Sequence, residues 1–408
     1  MRILEVNKFN YPSGGAEKYF LSLTAALKDA GHETAIFCMA DKRNEGSHWQ
    51  KYFVSHIDFY SRNLLTKLKT PGRIIYSREA KRKFAHLLDD FKPDIIHLHN
   101  IYHQISPSIL PEAKKRGVPV VMHLHDYKLA CPNYRLFVNN KICTACLDKK
   151  TYQPCIRKNC YGSFSRSYLA YLEMLIHHDY LHIYEKNIDL LIAPSEFIKN
   201  IMIKAGWPSD KIIVLYNPAP LTQELNQKEE KYFLYFGRLT KEKGVADLIG
   251  AIKKTDAHLK IAGDGPQVAE LKILAAPEIK TGKIEFLGQL AGAKLTAVIK
   301  NAQAIVFPSR WPENMPLALL ESLAQGKIVI TSRVGGLPEI IKDKDNGFLF
   351  APGEIDELTQ KIKMIEALKP KDREPIKIRA LETAQKLNPQ KHLSDILKIY
   401  LKLVKKSE

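Results

Sequence analysis

The chain has 408 residues, 45% of them hydrophobic and 26% charged. That is the make-up of a globular protein and, at roughly 100–200 residues per domain, it implies two or three domains. Leu, Ile and Val run from end to end, which excludes a long disordered protein. No apolar run reaches the roughly 18 residues of a spanning helix, and MRILEVNKFNYPSGG lacks the apolar stretch of a secretory leader. A cytoplasmic, multi-domain protein is expected, with 62 basic residues against 44 acidic and a net charge of +18.

Twelve short β-rich runs alternate with helical patterns. Arg2–Val6, Glu33–Cys38, Asp94–His99, Pro119–Leu124, Asp189–Ala193 and Ile212–Tyr216 come first. Tyr232–Phe236, His258–Ala262, Ile284–Leu287, Ala304–Phe307, Ile328–Thr331 and Gly347–Phe350 follow. Several are apolar throughout, as parallel strands covered on both faces must be. Helical patterns such as Ala16–Ala30 and Leu317–Gln325 each end at a glycine, Gly31 and Gly326. This alternation predicts an α/β protein with parallel sheets. Asn217-Pro218-Ala219-Pro220 and the polar stretch to Glu230 mark a boundary. The expected partition is residues 1–218, 219–390 and a terminal amphipathic helix, 391–408, that packs back on the first domain. Open sheets bind ligands beyond the carboxyl ends of their strands, so two doubly wound domains facing a central cleft would place the chemistry there.

In the first domain, Gly14 and Gly15 separate a strand from a helix, where the backbone can approach a phosphate or simply turn. Arg62, Lys67, Lys69, Arg73, Arg78, Lys81, Arg82 and Lys83 face one acid, Glu79, with apolar residues interleaved. Such a segment suits an anionic membrane, a nucleic-acid backbone or a solvated helix face. The aromatic-rich stretch Tyr168–Tyr184, read as one helix, adds to the case for a membrane surface. Val121–Asp126 ends a strand with His123, His125 and Asp126. His97, His99 and His103 lie near another strand end.

Cys131, Cys143, Cys146, Cys155 and Cys160 cluster, and Cys143-Thr-Ala-Cys146 has zinc-ligand spacing. A structural zinc on Cys131, Cys143, Cys146 and Cys160, with Cys155 as the alternate, is one reading. Disulfides, free thiols and an iron–sulfur centre are the others.

In the second domain, YFGRLTKEKG delivers Arg238 and Lys243 at a strand's carboxyl end, where a fork and a point charge can hold a diphosphate. Gly263-Asp264-Gly265-Pro266 makes a tight turn after the next strand. FPSRWPENMPLALLESLAQG runs from strand to helix, with Pro316 expected in the helix's first turn. Glu313 precedes that start and Glu321 lies about 7.5 Å along the axis, so the two carboxylates could reach different parts of one extended ligand. Asp343-Lys344-Asp345 before Asn346-Gly347 reads as a turn.

Together, the two glutamates of 313–321, Gly-Arg-Leu…Lys-Gly of 237–244, Gly-x-Gly-Pro of 263–266, Gly335-Gly336-Leu337-Pro338-Glu339 and Gly14-Gly15 carry a family pattern. The chain resembles the retaining glycosyltransferases of family 4, with two Rossmann-like domains (GT-B). The resemblance implies that Arg238 and Lys243 clamp the donor diphosphate. It places Glu321 on ribose, Glu313 near the transferred sugar, and the amides of 315–317 on sugar hydroxyls or phosphate. His125 would be the active-site histidine, with His99, His103 and Asp126 on the acceptor side. Gly14, Gly15, Gly263, Gly265, Pro266, Asn314, Met315, Pro316 and Leu317 would complete the donor site. Asn-Met-Pro replaces the Phe-Gly or Tyr-Gly of many members, and Pro316 has no amide to offer.

The resemblance further implies a UDP- or GDP-sugar as substrate and no metal for catalysis. The acceptor would be a saccharide or lipid-linked saccharide, reached at the cytoplasmic membrane face during polysaccharide or glycolipid synthesis. A nucleotide-sugar epimerase or hydrolase of the same fold is the near rival. A basic, zinc-containing nucleic-acid-binding protein is the distant one, and it leaves Glu313, Glu321, Arg238 and Lys243 without a purpose.

Overall fold

A computed structural model describes residues 1–57, 64–221 and 229–407. The strands are β1 (Arg2–Val6), β2 (Glu33–Phe37), β3 (Ile95–Leu98), β4 (Val120–His123), β5 (Phe137–Val138), β6 (Lys141–Ile142), β7 (Leu190–Ala193) and β8 (Ile212–Val214), followed by β9 (Tyr232–Phe236), β10 (His258–Ala262), β11 (Ile284–Gly288), β12 (Ala304–Phe307), β13 (Ile328–Ser332) and β14 (Phe348–Phe350). They form two six-stranded sheets and one hairpin.

The chain divides into two compact units. One comprises Met1–Arg135, Thr144–Leu215 and the chain from His392 onward; the other comprises Leu136–Cys143 and Tyr216–Lys391. The first unit's sheet has the order β2-β1-β3-β4-β7-β8, and all its pairs are parallel. Its strand order reverses between β1 and β3, the place where an open α/β sheet opens a crevice at its carboxyl end. Glu5 lies beside His97 in that register, so the two side chains share a sheet face. The terminal helix Pro389–Ser407 belongs to this unit from His392, with Ile396 and Tyr400 fully buried.

The second unit's sheet runs β11-β10-β9-β12-β13-β14, the doubly wound Rossmann order, again all parallel. Its strands β9, β12, β13 and β14 are buried throughout, which is why they read as largely apolar runs, whereas β10 and β11 carry the less buried Lys260 and Glu285. On β9, Phe233 and Tyr235 enter one core with Val306, Ile328 and Ile330, while Tyr232, Leu234 and Phe236 enter the other with Ile305, Phe307 and Val329. Order reverses here between β9 and β12, so the ends of those two strands frame the crevice of this unit.

Two expected elements differ. Pro316 has ψ 127°, an extended backbone, and caps the helix Leu317–Leu323 rather than sitting inside it. Its carbonyl accepts the Leu319 amide at 3.0 Å. The stretch Tyr168–Tyr184 is not one helix: an α-helix spans Phe164–Met174, a π-turn follows over Leu175–Tyr180, and Tyr184 is buried beyond it. The wider turn carries His177 and His178 inward, where His177 meets the Ile75 carbonyl at 2.7 Å and His178 meets Glu185 at 2.5 Å.

Candidate functional site

In the second unit, β9 ends in Gly237 and an exposed Arg238, whose carbonyl accepts from the Tyr235 hydroxyl at 2.8 Å. The glycine turn after β10 is laced to it: the Gly237 amide donates to Ala262 and the Leu239 amide to Asp264. A short 3₁₀ turn, Lys241–Lys243, then brings Lys243 to the loop that follows β12. Its ammonium lies 2.6 Å from Glu313 Oε1 and 5.3 Å from the centre of the Trp311 ring. The Ser309 hydroxyl donates to the same carboxylate oxygen at 2.5 Å.

Three anchors hold the loop. Arg310 forks onto Asp247, with Nε 2.6 Å from Oδ2, and its amide donates to the Glu242 carbonyl at 2.9 Å. The Gly336 amide donates to the Glu313 carbonyl at 2.8 Å. Asn217 Nδ2 donates to the Met315 carbonyl at 3.1 Å. Gly335 has φ +61°, and a Cβ there would lie 2.0 Å from the Glu313 carbonyl oxygen, so only glycine fits. Of the expected donor residues, Lys243 and Glu313 are in direct contact. Asn314 and Met315 are buried beside them, and Pro316, Leu317 and Glu321 are partly exposed on the short helix that follows. Gly263, Gly265 and Pro266 form the adjoining turn, and Asp264 and Pro266 are exposed.

In the first unit, Gly14 caps the helix Gly15–Asp29 in extended conformation, at the end of the loop that follows β1. The strand ends around it carry a cluster of imidazoles. His99 Nε2 lies 2.8 Å from Glu5 Oε2, and His99 Nδ1 lies 2.9 Å from His125 Nε2. His97 Nδ1 meets the Tyr400 hydroxyl at 2.6 Å, and Tyr19 meets His392 at 2.8 Å. His123 and His125 stack with centroids 4.6 Å apart, as two residues on one face of a strand end should. Glu5, His97, His99 and His123 are fully buried, whereas His125 is partly exposed.

Burial sets the charges. It pulls His99 down to about 4, aided by His97 and opposed by Glu5. It lowers His123 and His125 well below the usual imidazole range too, reinforced by the neighbouring imidazoles and, at His125, by Lys8. Burial alone would raise Glu5, but the facing His97 and its hydrogen bonds with His97 and His99 outweigh it and hold the carboxyl at about 2. Asp126 is pushed up by burial, against the pull of the Lys128 amide, which donates to Oδ1 at 2.9 Å. His103 sits apart from the cluster: its Nε2 meets Glu173 at 3.2 Å, and Lys128 meets the same oxygen at 2.8 Å.

The expected cysteine site is not supported. Among the described residues, the one group with three ligand atoms within 4.8 Å of one another is Glu5, His97 and His99, and no cysteine joins it. Those three already engage one another, so a cation there would have to displace the bonds between them. The Cys131 thiol instead donates to Asn133 Oδ1 at 3.0 Å, and the buried Cys155 lies 3.8 Å from the Ser167 carbonyl. The Cys155 thiol is raised by its hydrogen bond with Cys160 and by burial, and Cys160 is lowered to match. Cys143 falls in the segment that clusters with the second unit, while Cys131, Cys146 and Cys160 belong to the first.

The basic segment is also less free than its charge suggests. Arg62 and the side chains of Lys67 and Lys69 lie outside the described residues. Arg73 and Lys83 pair with Glu79, and Lys81 approaches Glu112 at 3.7 Å. Among the described residues, no helix is long and apolar enough to cross a membrane.

Residues 13–223 match the family described as Glycosyltransferase Family 4, and residues 221–382 match the one described as Glycosyl transferases group 1. The chain belongs to glycosyltransferase family 4. An uncharacterized 42.6 kDa protein in the cps region of Klebsiella pneumoniae is 26% identical to this glycosyltransferase over 89% of this chain and 96% of its own length. Sulfoquinovosyl transferase SQD2 of Arabidopsis thaliana is 26% identical over 67% of this chain and 50% of its own. Among solved structures, sucrose-phosphate synthase from Thermosynechococcus elongatus shares the fold at TM-score 0.73 and 17% identity, covering 99% of both chains. Alr3699/HepE of Anabaena, solved in complex with UDP, does so at 0.68 and 18%, covering 98% of this chain and 99% of its own. The two Rossmann-like domains of this glycosyltransferase are therefore those of the GT-B fold.

Sequence reading missed four members of these sites. Glu5 sits in a strand otherwise apolar from Ile3 to Val6, and an acid in such a run was the available signal. Arg310 and Asp247 gave none, because they pair across 63 residues, and Ser309, four residues before Glu313, reads as an ordinary loop serine.

Proposed function

We propose that this glycosyltransferase moves a sugar from a nucleoside-diphosphate donor to a saccharide or lipid-linked saccharide, with retention of anomeric configuration. The Lys243–Glu313 contact carries the reading: it sets a cation and a carboxylate together at the switch point of the second sheet. Breaking the bond between sugar and phosphate leaves negative charge on the diphosphate and positive charge on the sugar ring. Lys243 and Arg238 stabilise the first and Glu313 the second, and both act best when fixed in advance. Glu321 binds the ribose hydroxyls. In the first unit, His125 meets a substrate hydroxyl on the acceptor side, with Asp126 beside it and His99 behind it, while His103 is set apart on Glu173. The Anabaena protein Alr3699/HepE, solved both with UDP and with UDP and glucose, supports a nucleotide sugar as the donor class.

Thermal-shift titration with UDP-, GDP-, ADP- and TDP-sugars, on the wild type and on Glu321→Ala, tests the reading. Stabilisation by one nucleotide, weakened in the variant, is expected. Equal stabilisation of both proteins by the same nucleotide would remove Glu321 from the donor site.

Where the acceptor is lipid-linked, the enzyme works at an anionic membrane surface. Phe164, Tyr168 and Tyr180 are exposed, with the first two rings stacked 6.2 Å apart, and Arg78 and Arg82 of the basic segment are exposed as well. Sedimentation with anionic liposomes is expected to carry the protein down at low salt and release it at high salt. Protein left in the supernatant at low salt would count against the surface.

A further inference from the structure

The hydrogen bonds from β1 through β3 to β4 run in one direction. Glu5 divides its two oxygens: Oε1 faces His97 Nδ1 at 3.6 Å and Tyr400 at 3.5 Å, while Oε2 faces His99 Nε2 at 2.8 Å. A carboxylate can only accept, so His99 must carry its proton on Nε2. Burial keeps His99 neutral near pH 7, which leaves its Nδ1 a bare lone pair. The atom 2.9 Å from that lone pair is His125 Nε2, which must therefore carry a proton. His125 is also neutral, so its second nitrogen is bare.

We propose that Glu5 and His99 are positioning residues that lock His125 as the Nε2–H tautomer and turn its Nδ1 into a hydrogen-bond acceptor for a substrate hydroxyl. This rests on the reading of His125 given above and deepens it. An imidazole that only donated would orient a phosphate or carbonyl oxygen; one that only accepts selects a hydroxyl. Two rigid strand ends supply the chain of contacts, and packing restrains the rings: Phe20 lies edge-on to His99 at 5.3 Å, and Tyr19 contacts His123 at 4.4 Å. No other group of His99 remains to take a different partner, because both of its nitrogens are occupied.

The test is long-range ¹H–¹⁵N correlation of the full-length protein labelled with ¹⁵N-histidine at pH 7.5, with His125 assigned through His125→Asn. A protonated Nε2 and bare Nδ1 on His125 are expected; an Nδ1–H tautomer, or an even mixture, overturns the proposal. Because this is read on the wild type, it does not depend on any variant folding. His99→Phe keeps a ring but removes the acceptor. It is expected to mix the His125 tautomers and lower kcat roughly 10- to 100-fold, the scale of lost orientation, with donor KM unchanged. Unchanged kcat in a folded His99→Phe protein overturns the positioning role. His125→Ala separates the two layers. If it keeps full activity, the placing of His125 on the substrate is wrong; if it is inactive while wild-type His125 is the Nδ1–H form, only the relay is wrong.

Discussion

Lys243 donates to Glu313 across 2.6 Å, with the Trp311 ring 5.3 Å from its ammonium and the Ser309 hydroxyl on the same carboxylate oxygen. Glu313 is almost wholly buried and Lys243 is partly exposed, so the carboxylate is the fixed partner and the lysine the one that can turn to a ligand. Glu313→Gln keeps the size and a bond to Ser309 but removes the charge. With that charge gone, the carboxylate proposed to offset the sugar's developing positive charge is lost, and kcat is expected to fall about 10²- to 10³-fold. Donor KM should hold or drop, because the diphosphate no longer competes with a carboxylate for Lys243. Steady-state kinetics with the stabilising nucleotide sugar decide it, and an unchanged kcat would remove Glu313 from the chemistry.

Gly335 and Glu313 are locked through the backbone. A methyl at 335 would meet the Glu313 carbonyl oxygen at 2.0 Å with φ at +61°, so Gly335→Ala carries both strain and a clash. Gly282, with φ +76° and nothing within 4 Å of its would-be Cβ, isolates the strain alone. Gly282→Ala should cost about 1 kcal/mol and leave transfer intact. Gly335→Ala should cost more, about 2–3 kcal/mol, and remove most activity by displacing the carboxylate. Urea unfolding and activity on both variants give the comparison; equal losses in the two would show that the contact with Glu313 does not matter.

Much of this was legible in the residues. The inner strands are readable because parallel strands buried on both faces are mostly apolar, as Ala304–Phe307 is throughout and the strand Ile328–Ser332 is over its first three residues. The pairing of Lys243 with Glu313 was not, since it joins residues 70 apart whose meeting depends on β9 and β12 being neighbours. The hairpin β5–β6 escaped because its strands have two residues each, although Asn139 and Asn140, with φ 51° and 59°, are the residues such a turn favours. Pro316 was placed one position too far inside its helix: the proline suits either side of a helix start, and only its ψ tells them apart. The cysteine spacing misled because a Cys-x-x-Cys fits zinc only where two more ligands, thiolate or imidazole, converge on it.

The imidazole cluster should make the first unit sensitive to mild acid. His99 ordinarily titrates near 6.5 and is lowered to about 4 in the fold, and His123 and His125 are lowered in the same direction. Between those values the unfolded chain binds more protons than the native one, so stability rises with pH across the window. The contribution is fully present above 6.5 and is lost as pH falls toward 4, at up to about 1.4 kcal/mol per pH unit for each histidine. Glu5, held at about 2 against an ordinary 4.5, adds a loss of the same sign only below that ordinary value. Tyr19, Tyr400, His392, His97 and Lys8 are the other groups that face the cluster. Hydrogen exchange in peptides spanning β1, β3 and β4, in urea at pH 7.5, 6.5 and 5.5, should show opening that grows with acid and grows less in His123→Phe. Opening that does not change from 7.5 to 5.5 would contradict it.

Glu173 anchors the loop that follows His125. It is buried on the helix Phe164–Met174, where Lys128 reaches it at 2.8 Å and His103 at 3.2 Å. Burial would raise its pKa, but the facing Lys128 and His103 charges and the His103 hydrogen bond pull it well below the usual range. Lys128 is almost wholly buried too, with one further bond to the Pro132 carbonyl at 3.2 Å. Glu173→Gln therefore leaves a buried ammonium with too little compensation, and a loss of about 3–5 kcal/mol is expected. Replacing both partners, Glu173→Leu with Lys128→Met, removes the uncompensated charge along with the pair and should recover most of that loss. Since the Lys128 amide also holds Asp126, the single variant should lower activity by misplacing the His125–Asp126 turn. The double variant should restore stability more than activity. Unfolding midpoints and kcat on the single and double variants measure this together, and a double variant no more stable than Glu173→Gln would show that the buried charge is not what the carboxylate is there to hold.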